Sequence, residues 1–354
     1  MSTGSIEITD TVEAPVYGDG ALSRWCKKAL YQARDEVFVR LTIHRLVMAV
    51  VMMSSLIAVS RFAPKLIWPA MVAYFLVWSW LIPPIILMLH NTMHRPFIKT
   101  PKFLDWAHPF AMSFFYGVPT GYREHHLGIH HYEDNMPADL SSTMRYQRDS
   151  FLHFLVYFGR FFFLSIVEVP LYLHRHKRRS LARRALFGEI VHLSLIATAM
   201  YADWHFGLVA MVVPYVSCRF MMMAGNWGQH AFINTTRKND GISNSVTCIN
   251  SPYNKRCFND GYHIGHHLMA ARHWTELPGD FVKNRELYAS EDAIVFEKLD
   301  FFMVSVNLWL GRYETLAKHF VRLDGVPRDD AEVIAMLKER VKPIREAWPT
   351  LAET

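Results

Sequence analysis

The sequence predicts an all-α integral membrane protein with four transmembrane helices in two hairpins, further helices at the membrane interface and a helical cytosolic cap. Three observations support this fold class. The 354 residues are 51% hydrophobic and have a mean hydropathy of +0.06, which is high for a soluble protein and low for a chain made wholly of membrane helices. Four apolar runs approach or exceed the length needed to span a bilayer. Basic residues flank these runs, which is typical of the membrane surface.

Charge and cysteine spacing exclude several other classes of protein. The net charge is +6, but because the basic residues flank apolar runs we expect anionic lipid, and no nucleic acid, as their partner. The four cysteines, Cys26, Cys218, Cys248 and Cys257, form no Cys-x-x-Cys pair. The sequence therefore predicts neither a disulfide framework nor a rubredoxin-like iron site within this chain.

The first hairpin follows a polar tail and a basic segment. Residues 1–20 are predicted to be a flexible N-terminal tail, and residues 21–45 an amphipathic helix on the inner leaflet. The runs 46–60 and 66–89 are predicted to span the membrane as the first hairpin. Segment 103–118 is apolar but too short for a span, so we expect it to dip into the interface.

Segment 151–173 decides the predicted topology. It is long enough to cross, but it contains Arg160 and Glu168, which are costly at the bilayer centre. If it crossed, the basic run 174–184 would lie on the opposite side from the basic N-terminal part, against the positive-inside rule. We therefore place segment 151–173 in the interface.

The second hairpin and the cap complete the predicted fold. Runs 186–201 and 206–224 are predicted to be the third and fourth spans, which places both termini in the cytosol. Apolar periodicity predicts helices over 290–311 and 329–346, with Ser290 and Asp329 as N-caps. The expected organisation is a membrane domain over 21–280 and C-terminal cytosolic helices over 281–354 that pack on it.

The histidines are the strongest chemical signal in the chain. Nine of the nineteen fall in four short motifs, which we call the histidine boxes. The boxes comprise His90 and His94; His126, His130 and His131; Asn226 and His230; and His263, His266 and His267. The predicted topology places all four boxes on the cytosolic side. Ordinary packing does not require this crowding, because many ring nitrogens would compete for hydrogen-bond donors. The scattered histidines are predicted to be solvated or hydrogen-bonded side chains.

Helical geometry predicts how the middle box is used. On an α-helix His126 and His130 share one face, whereas His131 lies roughly 100° further round. One stretch of backbone could therefore serve two metal ions. His125 is out of register with His130, so we expect His126 to be the ligand and His125 to lie outside the ligand set.

The number and type of these side chains limit the choice of metal. Imidazole suits iron, zinc, copper and nickel, and nine imidazoles exceed the needs of one ion, so two ions are expected. Structural zinc sites more often use cysteine, and soluble di-iron bundles use paired Glu-x-x-His motifs. Such a motif occurs at Glu189 and His192, within an apolar segment, and we expect it to face the membrane without a role. Carboxylates that could accept hydrogen bonds from metal-bound imidazoles are Glu124, Asp134, Asp139 and Asp260.

The four boxes, in this order and around two predicted membrane hairpins, resemble the membrane-bound fatty-acid desaturase superfamily. The resemblance covers about residues 45–275. It implies that the nine histidines bind two iron ions, that the irons activate O2, and that Asn226 acts through a water molecule. The implied reaction converts an unactivated stretch of a fatty-acyl chain into a double bond.

One feature departs from the common family pattern. The middle box is often His-x-x-His-His, whereas this chain has His126-x-x-x-His130-His131, a spacing that is also similar to hydroxylases and alkane monooxygenases of the wider superfamily. Hydroxylation is therefore the alternative activity, and the four predicted spans favour desaturation. Because no haem-binding donor is fused to the chain, a separate electron donor of ferredoxin, rubredoxin or cytochrome type is implied.

A membrane metal-binding or transport protein is the alternative from another functional class. Transporters place ionisable groups near the midplane of the membrane, between spans. The histidine boxes lie at the ends of the predicted spans and in loops. The sequence therefore favours an enzyme.

Overall fold

The computed structural model describes residues 7–235, 241–323 and 328–344. The first six residues of the predicted N-terminal tail and residues 345–346 of the last predicted helix lie outside this part. The described residues are mostly helical and include one small β-sheet.

The helices and strands have the following bounds. The elements up to the middle of the chain are α1 (Ala21–Ala29), α2 (Glu36–Phe62), α3 (Ile67–His94), α4 (Lys102–Tyr116), α5 (Tyr122–His125), α6 (His131–Glu133), α7 (Phe151–Arg175), α8 (Arg179–Ala202), α9 (Trp204–Phe206) and α10 (Val213–Gln229). The later elements are α11 (Gly241–Asn244), β1 (Val246–Ile249), α12 (Pro252–Arg256), α13 (His263–Leu268), α14 (Leu277–Lys283), α15 (Arg285–Ser290), β2 (Ile294–Glu297), α16 (Phe301–Trp309), α17 (Tyr313–His319) and α18 (Asp330–Arg340). Two π-helical turns, His126–His130 and Gly207–Val212, interrupt the α-helical pattern.

The chain forms two compact units. The first unit comprises Met1–Glu13, His126–His176 and Met221–Thr354. The second unit comprises Ala14–His125 and Lys177–Phe220. The predicted domain boundary at 280/281 lies inside the first unit, so the C-terminal helices and the last two histidine boxes belong to one compact body.

In the part of the chain that the structure describes, five helical segments are long and apolar enough to cross a membrane. They are Ala33–Phe62, Pro64–His94, Phe151–Arg175, Arg179–Ala202 and Trp204–Gln229. Four of them contain the predicted spans, which supports a membrane protein. Because Phe151–Arg175 meets the same criteria of length and composition, the interfacial position of this helix and the count of four spans stay predictions.

The second unit buries a charged pair between its apolar helices. Glu189 on α8 accepts hydrogen bonds from Arg219 on α10 at 2.7 and 3.0 Å, and the Tyr215 hydroxyl also donates to Glu189. The expectation that Glu189 and His192 face the membrane is wrong, because Glu189 is 9% and His192 0% exposed. The pair explains how two charged residues are accommodated in segments that were predicted to span, since each charge has a partner.

The first unit contains a two-stranded parallel sheet that the all-α prediction missed. β1 pairs with β2 in the register Val246 to Ile294 through Ile249 to Glu297. Side chains alternate along β2: Ile294 and Phe296 pack in one hydrophobic cluster, whereas Val295 packs in another. A short run of β-branched and aromatic residues buried on both faces is typical of a parallel strand.

The strand also corrects the predicted helix over 290–311. Helix α16 begins only at Phe301, and its N-cap is Asp300, which accepts a hydrogen bond from the Met303 N–H, so Ser290 is not the cap. The other predicted cap, Asp329, is confirmed and forms a capping box with Glu332.

One residue of the predicted flexible tail, Asp10, is buried and hydrogen-bonded within the first unit. Asp10 is 5% exposed. Its carboxylate accepts hydrogen bonds from the Tyr262 hydroxyl at 2.7 Å, from the Asn250 backbone N–H at 2.6 Å and from the Asn254 amide at 3.1 Å. The flexible tail stays a prediction for residues 1–20 as a whole, and within it the buried carboxylate of Asp10 satisfies three donors of the first unit.

Candidate metal centre

The first unit brings seven box histidines together in two groups. We call His126, His131 and His266 the three-histidine cluster, and His130, His230, His263 and His267 the four-histidine cluster. Within each cluster the ring nitrogens that could bind a metal lie within 4.8 Å of one another. Residues from three separate boxes, distant in sequence, therefore converge.

A π-helical turn divides the middle box between the two clusters. Because His126–His130 is a π-helix, positions five apart are brought together in place of positions four apart. The Nε2 atoms of His126 and His131 accordingly lie 3.1 Å apart, within one cluster, whereas His130 belongs to the other. The prediction that His126 and His130 act from one α-helical face is corrected, although their rings still stack with centroids 5.4 Å apart.

Helix α13 supplies both clusters from an ordinary α-helical turn. His263 and His267 are four residues apart, and their Nε2 atoms lie 3.0 Å apart in the four-histidine cluster. His266 lies about 100° from His267 around the helix axis. Its Nε2 atom is 3.0 Å from that of His131 in the three-histidine cluster.

Three oxygen acceptors orient the rings of the four-histidine cluster. The Nδ1 atoms of His130, His267 and His230 face oxygens of Asp139, Asp134 and the Asn244 carbonyl at 2.7, 2.9 and 2.7 Å respectively. A carbonyl oxygen can only accept, so His230 carries its proton on Nδ1 and presents a lone pair at Nε2. Burial, with smaller contributions from His130 and His267, lowers the pKa of His230 to about 3, so the ring is neutral.

Asp139 and Asp134, which were predicted as carboxylate acceptors, contact box histidines. Burial raises the pKa of Asp134, but its hydrogen bond and charge interaction with His267 outweigh this and leave the pKa lowered. Of the other two predicted acceptors, Glu124 forms an ion pair with Arg184 at 2.8 Å, and Asp260 accepts a hydrogen bond from the Tyr253 hydroxyl at 3.5 Å. The acceptor that sequence reasoning missed is the Asn244 carbonyl, because a backbone oxygen leaves no signal in residue types.

Asn226 is anchored on the N-terminal side of His230. Its amide nitrogen donates to the Tyr157 hydroxyl at 2.7 Å and to the Ser141 carbonyl at 3.1 Å. The hydroxyl of Tyr157 also lies 3.2 Å from the Ser141 carbonyl. These contacts fix the plane of the amide and therefore the direction of its carbonyl oxygen.

The remaining predicted ligands lie in the second unit. His90 and His94 stand at the C-terminal end of α3 with ring centroids 5.1 Å apart, and His90 is 7% exposed. His125 belongs to neither cluster. Several scattered histidines make the expected ordinary hydrogen bonds: His108 with Thr42, His153 with the Gln147 backbone and His319 with the Glu297 carbonyl.

The donor set of the four-histidine cluster suits a metal ion. The Nε2 atom of His263 lies 3.2 Å from that of His230 and 3.0 Å from that of His267. With their protons held on Nδ1, His230 and His267 both present lone pairs, and His263 has at most one Nε2 hydrogen with which to satisfy them. A cation between the rings would remove this repulsion. Imidazoles that donate their second ring N–H to an oxygen acceptor are typical of metal sites.

Comparison with known proteins agrees with this geometry. The family model described as "Fatty acid desaturase" matches residues 65–298, which is more than half of the chain. Searches of the curated proteins and of the solved structures gave no match. The match includes all four histidine boxes and confirms the superfamily expected from them. The chain belongs to the fatty acid desaturase family and is a membrane-bound oxidoreductase that acts on lipid.

Proposed function

We propose that this protein is an O2-dependent di-iron desaturase that introduces a double bond into a fatty-acyl chain. The observation that carries the proposal is the convergence of seven imidazoles into two clusters in the first unit. Two sets of converging ring nitrogens suit two metal ions, and imidazole is a ligand that iron accepts. Family membership supports the lipid substrate and makes iron the preferred metal.

Each histidine cluster would hold one iron ion. We propose that His90 and His94 supply further ligands to the ion of the three-histidine cluster, and that Asn226 acts through a water molecule on the ion held by His230. The bound irons would supply the reduction of O2 and the removal of hydrogen from an unactivated methylene group. A separate electron donor of ferredoxin, rubredoxin or cytochrome type would supply the electrons.

The residues of the chain itself hold the ligands in a fixed state of protonation. Asp139 and the Asn244 carbonyl keep protons on the Nδ1 atoms of His130 and His230, so that both Nε2 atoms remain available to a metal. The Tyr157 hydroxyl and the Ser141 carbonyl accept hydrogen bonds from the Asn226 amide and so fix its orientation. The ligands are therefore arranged before any metal binds, which favours metal affinity.

Hydroxylation of the same fatty-acyl chain is the alternative, because the spacing of His126, His130 and His131 is also similar to that of hydroxylases in the wider superfamily and does not by itself separate the two reactions. The choice between the reactions depends on how the chain is held, because removal of a second hydrogen requires two adjacent methylenes close to the irons. We propose that the apolar segments 103–118 and 151–173 hold the chain. Their exposed aromatic side chains, Trp106 at 56% and Phe163 at 72%, support this role, although such residues also anchor helices in a membrane.

Product analysis tests the proposed reaction. The full-length protein would be expressed with an electron donor, its iron content measured, and lipids analysed by mass spectrometry under 18O2. We expect two irons per chain and a product that has lost one pair of hydrogens. Gain of one labelled oxygen atom would establish a hydroxylase, whereas bound metal without any lipid product would favour a metal-binding or transport protein.

Cysteine labelling tests the proposed topology, in which four spans place the histidine boxes and both termini in the cytosol. The native cysteines Cys26, Cys218, Cys248 and Cys257 are all buried, so background labelling should be low. A Ser180→Cys variant, next to the start of α8 at Arg179, should react with an impermeant reagent from the cytosolic side only. Labelling from the outside would make Phe151–Arg175 a fifth span.

A further inference from the structure

A cavity of about 270 Å³ lies within the second unit. It is lined by the end of α3, by α4 and by the start of α8. Its polar lining includes His94, Arg95, Asp105, Thr120, Arg123 and Arg184. The cavity therefore borders one of the proposed iron ligands, His94, and carries several charged groups.

Arg95 lines this cavity and uses only part of its hydrogen-bonding capacity. It is 9% exposed, and its Nη2 atom donates to Asp35 at 3.1 Å. Its Nη1 atom is buried and has no hydrogen-bond partner among the described residues. A buried donor without an acceptor is costly, so an acceptor brought by a ligand would be bound favourably.

The charge of the lining favours an anion. Three arginines line the cavity against one aspartate, Asp105, which accepts a hydrogen bond from the Ile98 backbone at 2.9 Å. Arg184 and Arg95 are each paired with a carboxylate, Glu124 and Asp35 respectively, and Arg95 is the more buried of the two arginines and keeps its Nη1 atom for a further acceptor. His108 adds no charge at neutral pH, because burial lowers its pKa to about 4 despite the opposing effect of Asp105.

The remaining lining identifies what kind of anion fits. Apolar side chains such as Leu89, Met93 and Phe97 share the cavity with Arg95, so it suits a molecule that is charged at one end and apolar behind it. The volume is just below the roughly 300–1,000 Å³ of pockets that enclose a whole drug-sized ligand. It can therefore hold a head group and the first carbons of a chain, but not a long chain in full.

We propose that this cavity, the Arg95 cavity, binds the anionic head of the lipid substrate, and that Arg95 recognises a carboxylate or phosphate oxygen there. This inference rests on the proposed function, because it assumes an acyl substrate. Arginine suits either group, since its planar guanidinium matches the oxygens of carboxylate and phosphate. A consequence is that Arg95 is a specificity-determining residue that selects lipids with a charged head over neutral ones.

Equilibrium binding to the full-length, iron-loaded protein in neutral detergent tests the proposal. The probes are palmitate, hexadecyl phosphate and methyl palmitate, which share one chain length and differ in the head group. We expect at least one anionic probe to bind about tenfold to a hundredfold more tightly than methyl palmitate, as for a charge-assisted hydrogen bond. Tighter binding of palmitate would identify a carboxylate head, and tighter binding of hexadecyl phosphate a phosphate ester.

The variants separate recognition from folding. Arg95→Gln leaves the buried Asp35 without its ion pair and can unfold the protein, so the double variant Asp35→Asn with Arg95→Gln is tested beside it. Both are expected to lose the preference for an anion while still binding methyl palmitate. Arg61→Gln is the matched control, because Arg61 is exposed, belongs to the second unit and does not line the cavity.

Equal binding of all three probes to the unsubstituted protein would overturn the proposal, as would an undiminished preference in the folded double variant. Iron content and lipid product are measured on the same preparation. A protein that binds iron and forms product without any preference for an anionic head would refute the Arg95 cavity alone. A preference that persists in a protein without product would refute only the proposed function.

Discussion

The two histidine clusters of the first unit differ in the number of their imidazoles and in the exposure of these side chains. In the four-histidine cluster, His130, His230 and His263 are at most 2% exposed, and three oxygen acceptors orient the rings. In the three-histidine cluster, His126 and His266 are 7% and 9% exposed, and the Nε2 atom of His131 lies 3.1 Å from that of His126 and 3.0 Å from that of His266. The first unit therefore offers four converging imidazoles in one cluster and three in the other.

With one iron ion in each cluster, as proposed above, we expect the two ions to be bound with different strength, because the four-histidine cluster offers one more imidazole and its histidines are less exposed. We expect the four-histidine cluster to keep its iron in dilute chelator after the three-histidine cluster has lost its own. The predictions below test this comparison.

Removal of a ligand should have the largest effect. His267→Ala takes an imidazole from the four-histidine cluster, and His126→Ala takes one from the three-histidine cluster. Each variant should bind one iron ion in place of two. Its activity should fall by more than the roughly 10-fold to 100-fold that is lost when the hydrogen-bond partner of a metal ligand is removed. Iron analysis and product formation measure both effects. Two irons retained in either variant would show that the substituted residue is not a ligand.

Removal of an oxygen acceptor should have an intermediate effect, confined to the four-histidine cluster. Asp139→Asn preserves the size of the side chain but replaces a carboxylate with a weaker acceptor for His130. Metal affinity should fall about 10-fold to 100-fold, as measured by chelator competition. Asp292→Asn is the matched control, because Asp292 pairs with Arg340 and Arg328 in the same unit. Equal losses in the two variants would indicate a general effect on folding.

The adjacent histidines of the middle box should respond unequally. His126→Ala should lose metal, whereas His125→Ala should retain two irons and most of the activity, because His125 belongs to neither cluster. Iron analysis of the two variants side by side measures the difference. The opposite result would mean that the π-helical turn is displaced by one residue.

The smallest effect is expected far from both clusters. Asp329→Ala removes the side chain that caps α18 and should lower the free energy of unfolding by about 1 kcal/mol. Thermal or denaturant unfolding measures this change, and iron content should stay at the unsubstituted value. Loss of iron in this variant would contradict this expectation and would show that the C-terminal helices affect metal binding.

Local rules predicted a large part of this protein because many of its features depend on residues close in sequence. The closeness of His263 and His267 follows from the α-helical repeat alone. The cap at Asp329 follows from a carboxylate that stands just before a helix. The strand β2 was missed because its pairing partner, β1, lies about fifty residues away. A run such as Ile294, Val295 and Phe296 is equally compatible with a buried helix when its partner is unknown.

The sequence by itself determined the residue types, their spacing and the long apolar segments, and these were sufficient to predict the family and a membrane protein. Only the tertiary structure decided how the histidines are divided. The π-helical turn moves His131 beside His126 and leaves His130 to the other cluster, and the Asn244 carbonyl becomes an acceptor for His230. The physical reason is that spacing sets the direction of side chains only within one helix, whereas contacts between distant segments decide which nitrogen and oxygen atoms meet.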